Sequence, residues 1–216
     1  MLGDVDSDSS VDMGHVRGGW AGHVCLPVGG AARRELAAVG RVCAEVVGDE
    51  AAGGVVEELA EPHISLTRPF YVQEHQIAGA VRALEAAVAD ISPFAVGFGA
   101  VSTYRNSGGG GGRRWFVAAD VDAGAAAVGR VLERVDRVLE RLGKRRFFAQ
   151  PRFHASLVRA DLDDAAVQRV AARLGARVHE EILRVSAARI DAVQCAFGDR
   201  RFCIALGGQQ PPATGV

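Results

Sequence analysis

Two short phrases hold the side chains of this sequence best suited to chemistry. "EPHISLTRPF", beginning at Glu61, contains His63 and Ser65 in the order His-x-Ser-Leu. "PRFHASLVRA", beginning at Pro151, repeats that order with His154 and Ser156. The chain has only 6 histidines, and random placement would give about 0.02 copies of the phrase, so two copies arise by chance with a probability on the order of 10⁻⁴. The recurrence asks for a shared cause.

In an extended strand successive side chains point to opposite faces. His63 and Ser65 then share one face, with Cα atoms roughly 6.6 Å apart, and Ile64 and Leu66 take the other. His154 and Ser156 repeat the arrangement, with Phe153, Ala155 and Leu157 pointing inward. Two such pairs on opposed strands supply two imidazoles and two hydroxyls to one cleft. Imidazole titrates near pH 6.5, so one ring can begin neutral as a general base while the other begins protonated as a general acid. Each serine hydroxyl can donate to an anionic oxygen. A phosphodiester, which needs one proton removed from an attacking group and one delivered to a leaving group, fits this set best.

Competing chemistries lack their parts. No GxSxG elbow stands near either phrase to make a serine hydrolase. No Asp, Glu or Cys accompanies the two histidines at ligand spacing, so neither a metal site nor a cofactor is expected. Cys25, Cys43, Cys195 and Cys203 are scattered without a CxxC pair, which argues for reduced thiols rather than zinc or a disulfide framework. "SGGGGGRR" lacks the Gly-Lys-Ser/Thr ending of a phosphate loop and reads as a loop tip. His15, His23, His75 and His179 read as surface or packing residues; His23 is the least certain, because its strand could join the same lobe. Lys144, Arg145 and Arg146 form the densest basic run, suited either to an RNA backbone or to a helix end.

The elements that must position the two phrases follow from periodicity. "GHVCLPV" (22–28) alternates as a strand, and "AARRELAAVGRVCAEVV" sets Leu36, Val39, Cys43 and Val46 on one helical stripe. The first phrase is a short strand, followed by a helix over 72–91 through Ile77, Val81, Leu84 and Val88. Strand-like runs at 94–105 and 114–121 flank the glycine loop, a helix spans 123–142, and the second phrase leads to a helix near 163–178. A hairpin of 188–197 and 200–207 around Gly198-Asp199 closes the chain. Each phrase lies on a strand beside helices, which predicts an α+β fold of two related lobes facing one another.

At 216 residues the chain can bury a sizeable core, and its net charge of −1 gives no overall basic footprint for nucleic acid. No run of eighteen apolar residues is present, so no membrane partner is expected. Residues 1–18 and 208–216 read as disordered tails around one domain, 19–207.

"HISL" and "HASL" resemble the paired signatures of the two-histidine (2H) phosphoesterase superfamily. "GWAGHVCLPV", "RRWFVAADV", "FFAQPRFHASL" and "FGDRRFCIAL" are similar to its branch that trims the 3′ end of spliceosomal U6 RNA, over about residues 20–206. The resemblance implies two pseudo-symmetric lobes of antiparallel sheet with flanking helices around a central cleft. It also implies a metal-independent 3′-to-5′ exoribonuclease that removes uridines by attack of the adjacent 2′-hydroxyl, leaving a 2′,3′-cyclic phosphate or, after hydrolysis, a 3′-phosphate. His154 would be the base and His63 the acid, with Ser65 and Ser156 beside them, although the residues alone do not order the two rings. Where the branch often has a base-stacking tyrosine, this chain has Phe148, which keeps the ring face and loses the hydroxyl. The implied partner is the 3′ end of U6 snRNA with its oligouridine tail, met by a monomer in the nucleus. Another 2H activity, on 2′,5′-oligonucleotides or cyclic nucleotides, and a silent RNA-binding module are the alternatives.

Overall fold

The computed structural model describes residues 19–51, 53–105, 114–144, 152–178, 182 and 184–208. The first half runs β1 (Gly19–Pro27), α1 (Gly30–Glu50), β2 (Val56–Glu58), β3 (His63–Ser65), β4 (Phe70–Gln73) and α2 (Glu74–Val88). After β5 (Phe94–Val96) and β6 (Phe98–Arg105), the second half runs β7 (Arg114–Val121), α3 (Ala125–Arg141), β8 (His154–Asp161) and α4 (Asp164–Arg177). β9 (Ala188–Ile190), β10 (Ala192–Phe197), β11 (Arg200–Ala205) and a 3₁₀ turn (Leu206–Gly208) follow. The expected tails fall largely outside the described residues.

The helical stripes become the core. Leu36, Val39, Cys43 and Val46 of α1 are buried, as are Ile77, Leu84 and Val88 of α2 and Val128, Leu132, Val135 and Leu139 of α3. They pack with Val24, Leu26, Ile64, Leu66, Ala155 and Leu157 from one face of the sheet. Burying such side chains is the dominant stabilising term, about 1.5–3 kcal/mol for each large one. At the start of α4, Asp163 accepts a hydrogen bond from the Ala166 N–H at 2.7 Å, satisfying one of the donors that every helix start leaves open.

The main sheet has the order β11-β10-β1-β3-β8-β7-β6, all neighbours antiparallel, with β4 also on β1 and β2 also on β8. The α+β class and the repeated half therefore hold: strand, helix, signature strand, helix occurs as β1-α1-β3-α2 and again as β7-α3-β8-α4. The relation between the halves differs from the expectation. They do not oppose their signature strands across a gap; they join edge to edge, with β3 hydrogen-bonded to β8. The cleft is the polar face of one continuous sheet.

Two runs expected as single strands are each broken. Residues 94–105 divide at Gly97, and 188–197 divide at Asp191; the leading pieces, β5 and β9, pair with each other in a separate two-stranded sheet. At the breaks the backbone bonds to loops instead: Gly97 N–H to the Ala123 carbonyl at 3.0 Å, and Leu206 N–H to the Asp191 carbonyl at 2.8 Å. Alternation of side chains continues through such a break, so the sequence pattern conceals it.

β3 is short for a similar reason. The N–H groups of Leu66 and Thr67 both donate to the Val24 carbonyl, at 2.9 and 3.3 Å, and the Val24 N–H donates to the Thr67 hydroxyl at 3.0 Å. Thr67, 1% exposed, thus replaces a ladder bond and lets β4 take over along β1. At Gly22 a Cβ would lie 2.7 Å from the Phe70 ring, so only glycine admits the Phe70–Phe197 contact there. The expected Gly198-Asp199 turn joins β10 to β11, with Gly198 at φ +62.

Candidate active site

Ile64 of β3 lies directly opposite Ala155 of β8. Carried one residue either way, that antiparallel register sets His63 across from Ser156 and Ser65 across from His154. All four side chains leave from the same face, because Ile64 and Ala155 are fully buried on the other. The two histidines occupy one diagonal of the square, with Cβ atoms about 7–8 Å apart, and the serines occupy the other. The four sequence-selected residues are therefore brought together; Phe148, with Arg145 and Arg146, lies outside the described residues.

Both rings are held by the same local bond. His63 Nδ1 lies 2.9 Å from the Glu61 carbonyl oxygen, and His154 Nδ1 lies 3.1 Å from that of Arg152. A carbonyl only accepts, so each Nδ1 carries the proton and each neutral ring keeps its lone pair on Nε2.

His154 has further support on its far side. Asp120 of β7 is its direct cross-strand neighbour, and Tyr104 of β6 stacks on its ring, with centroids 4.4 Å apart and planes at 17°. The Tyr104 hydroxyl donates to Asp120 Oδ1, and the Ser102 hydroxyl donates to Asp120 Oδ2 at 2.5 Å. Tyr104 thereby covers one imidazole face, and the Asp120 carboxylate sits where it favours a protonated ring. His154 and Ser156 retain 7% and 8% exposure, whereas His63 and Ser65 are half-buried.

Open space adjoins His63. A groove of about 630 Å³ is lined by His23, Cys25, Glu61 and His63 together with Arg33 and Arg201. Arg201 donates to Glu61 at 3.1 Å, and Arg33 approaches the same carboxylate at 3.6 Å. Two guanidinium groups at the rim suit an anionic ligand.

His23 does not behave as a remote packing residue. It shares the face of β1 with Cys25, its Nε2 is 3.3 Å from the Ser65 hydroxyl, and its ring meets His63 edge-on at 5.5 Å. Cys25 is the cross-strand neighbour of Ser65. The absence of any Cys at ligand spacing from the signature histidines is therefore corrected by the fold: His23, Cys25 and His63 present ligand atoms within 4.8 Å of one another. Strand pairing, not sequence spacing, made this cluster. The period-2 placement of His23 and Cys25 on a predicted strand was its only sequence signal.

Burial sets the protonation of the site. It is the main reason that His63 and His154 titrate below the ordinary histidine value. The carbonyl bonds and the charges of Glu61 and Asp120, respectively, offset part of that effect. His23 is held down to about 3 by burial and then by His63. Burial, more than any neighbour, also pushes the Cys25 thiol up to about 12. At neutral pH the face thus holds neutral rings and an un-ionised thiol, ready to receive an anion.

The sequence profile of the HVSL family, described as an uncharacterised conserved protein, matches residues 12–205. The chain belongs to the HVSL family. It is 28% identical over 201 residues to human U6 snRNA phosphodiesterase 1, covering 89% of this chain and 71% of the human protein. The solved structure of Kluyveromyces marxianus Usb1 with uridine monophosphate has a similar fold, with a TM-score of 0.59, 14% identity and coverage of 86% of this chain and 98% of that one. A second structure of the same yeast protein gives a TM-score of 0.58, with 14% identity and coverage of 86% of this chain and 98% of that one. The HVSL chain thus has the 2H fold that its paired signatures suggested.

Proposed function

We propose that this HVSL-family chain is a 2H-type phosphodiesterase that processes RNA 3′ ends. The observation that carries the reading is the β3–β8 square, in which two imidazoles, each bonded at Nδ1 to a backbone carbonyl, and two hydroxyls leave one face of the sheet. Similarity to the human U6 snRNA phosphodiesterase supports U6 snRNA, and a nuclear setting, as the finer substrate and address.

In the proposed reaction a terminal phosphodiester lies between the rings, with Ser65 and Ser156 donating to its non-bridging oxygens. His154 Nε2 takes the proton from the 2′-hydroxyl of the penultimate nucleotide. The O2′–P bond forms and the P–O5′ bond breaks. His63, protonated at Nε2, gives its proton to the departing 5′-oxygen, so the two rings exchange protonation states. The shortened RNA ends in a 2′,3′-cyclic phosphate, and the released unit is a nucleoside without phosphate. Burial disfavours the protonated form of His63, but an entering phosphodiester anion beside the ring restores it. The open groove adjoins His63, which gives the leaving nucleoside an exit on the side of the acid. Tyr104 and Asp120, on the enclosed side, hold the base.

Incubation with RNA bearing a 3′-oligouridine tail, in parallel with 2′,5′-linked oligonucleotides and cyclic nucleotides, tests the substrate class. Stepwise shortening of the RNA from its 3′ end, undiminished by EDTA, is the expected result. Cleavage of only the 2′,5′-linked or cyclic substrates would assign another 2H activity, and no cleavage of any would leave a binding module.

A further inference from the structure

We propose that His23, Cys25 and His63 form an inhibitory site for a soft divalent cation such as Zn²⁺. Only the inhibitory consequence rests on the function proposed above; the site itself rests on geometry. His23 and Cys25 leave the same face of β1, His63 leaves that face of the adjacent β3, and their ligand atoms lie within 4.8 Å of one another. A tetrahedral zinc ion with bonds of about 2.0–2.3 Å sets its ligands roughly 3.3–3.7 Å apart, so side-chain torsions need close only about an ångström. One thiolate and two imidazoles are a ligand set that zinc favours, and three protein ligands leave a fourth position for water.

A second observation points the same way. Metal-binding histidines characteristically donate their other ring N–H to a carbonyl or carboxylate, which fixes the tautomer. His63 already does so, to the Glu61 carbonyl at 2.9 Å, leaving Nε2 toward the other two ligands. The contact of His23 with the Ser65 hydroxyl occupies Nε2, so the ion takes Nδ1 or replaces that contact. The groove beside the three residues provides the entry path.

Binding exchanges the Cys25 thiol proton for the metal: an S–Zn bond forms, the S–H bond breaks, and one proton passes to solvent. The same event engages the His63 lone pair on Nε2, the atom that must carry the proton for the leaving oxygen. Metal occupancy and proton donation are mutually exclusive there. Zinc therefore acts as a reversible brake on the enzyme while His154 is left untouched.

Co²⁺ is the spectroscopic probe and Zn²⁺ the functional one. Titrating the metal-free protein with Co²⁺ should produce a thiolate-to-metal band and the visible absorption of a tetrahedral ion, both displaced by Zn²⁺. Cys25→Ser should abolish the thiolate band, and His23→Gln should weaken binding by about 10²-fold or more, with circular dichroism confirming that each variant folds. Zinc should lower the wild-type rate reversibly with EDTA, and should lower the rate of neither variant relative to its own metal-free rate. A missing thiolate band in the wild type, or one that persists in Cys25→Ser, overturns the site. A band without any loss of RNA trimming, or with a gain, overturns the inhibition. A band in a protein that trims no RNA under metal-free conditions leaves the site standing and removes the function instead.

Discussion

His63 and His154, far apart in sequence, are oriented by the same bond: each donates Nδ1–H to the backbone carbonyl two residues before it, on adjacent strands of one sheet. The bond leaves the lone pair of each neutral ring on Nε2. It also explains why each histidine needs its local phrase and not merely its place in the fold.

Replacing either ring should therefore remove catalysis without removing the fold. His63→Ala and His154→Ala should each lower kcat by about 10²–10⁴-fold, the range for a lost general acid or base. Each should keep the wild-type circular dichroism spectrum. A variant with the full rate would remove its histidine from the mechanism.

The lowered titration of both rings predicts an acid-shifted profile. A base must be neutral and an acid protonated, and kcat/KM reports these states in the free enzyme. With both values below the ordinary 6.5, the bell of kcat/KM against pH should be centred below that value. Asp120 raises His154, so Asp120→Asn should move one limb further down. Movement of either limb places His154 among the groups that set the bell; a profile unchanged in Asp120→Asn would remove it from them.

Stability should depend on pH through the same face. A histidine whose folded value lies below its unfolded value contributes stability above about pH 6.5 that is lost as pH falls through the folded value. For His23 that loss extends from the ordinary value down to about 3. Thermal midpoints should fall across this window, and His23→Gln should flatten the decline. An unchanged slope in that variant would show that His23 does not remain neutral in the folded protein.

Much of this was legible in the sequence because the two phrases carry both chemistry and strand alternation. His63, Ser65, His154 and Ser156 share one face, as the period of two requires, and the apolar stripes located α1, α2 and α3. What was not legible came from pairing. Alternation does not tell which strands are neighbours, so the edge-to-edge union of β3 and β8 read as two facing lobes. For the same reason Cys25 was not placed beside His63 and His23 read as a packing residue whose strand could join the lobe, although β1 lies beside β3. The breaks at Gly97 and Asp191 were hidden because strand-like side chains continue across them while the backbone bonds turn to loops. Asp120 and Tyr104 gave no motif at all; only the β6-β7-β8 register brings them to His154.

The proposed internal attack makes one atom of the substrate indispensable. An RNA whose penultimate sugar lacks its 2′-hydroxyl should bind but resist trimming, while a deoxy sugar at the last position should be tolerated. Normal cleavage of the penultimate-deoxy RNA, followed by gel analysis over time, would point to water as the nucleophile.

The most direct measurement is the mass of the RNA 3′ end after a single round of trimming. Two imidazoles working on one phosphate predict an RNA shortened by one nucleoside and ending in a 2′,3′-cyclic phosphate, or in a 3′-phosphate once that ring has opened. A shortened RNA ending in a free 3′-hydroxyl, with the phosphate carried away on the released nucleotide, would contradict the account.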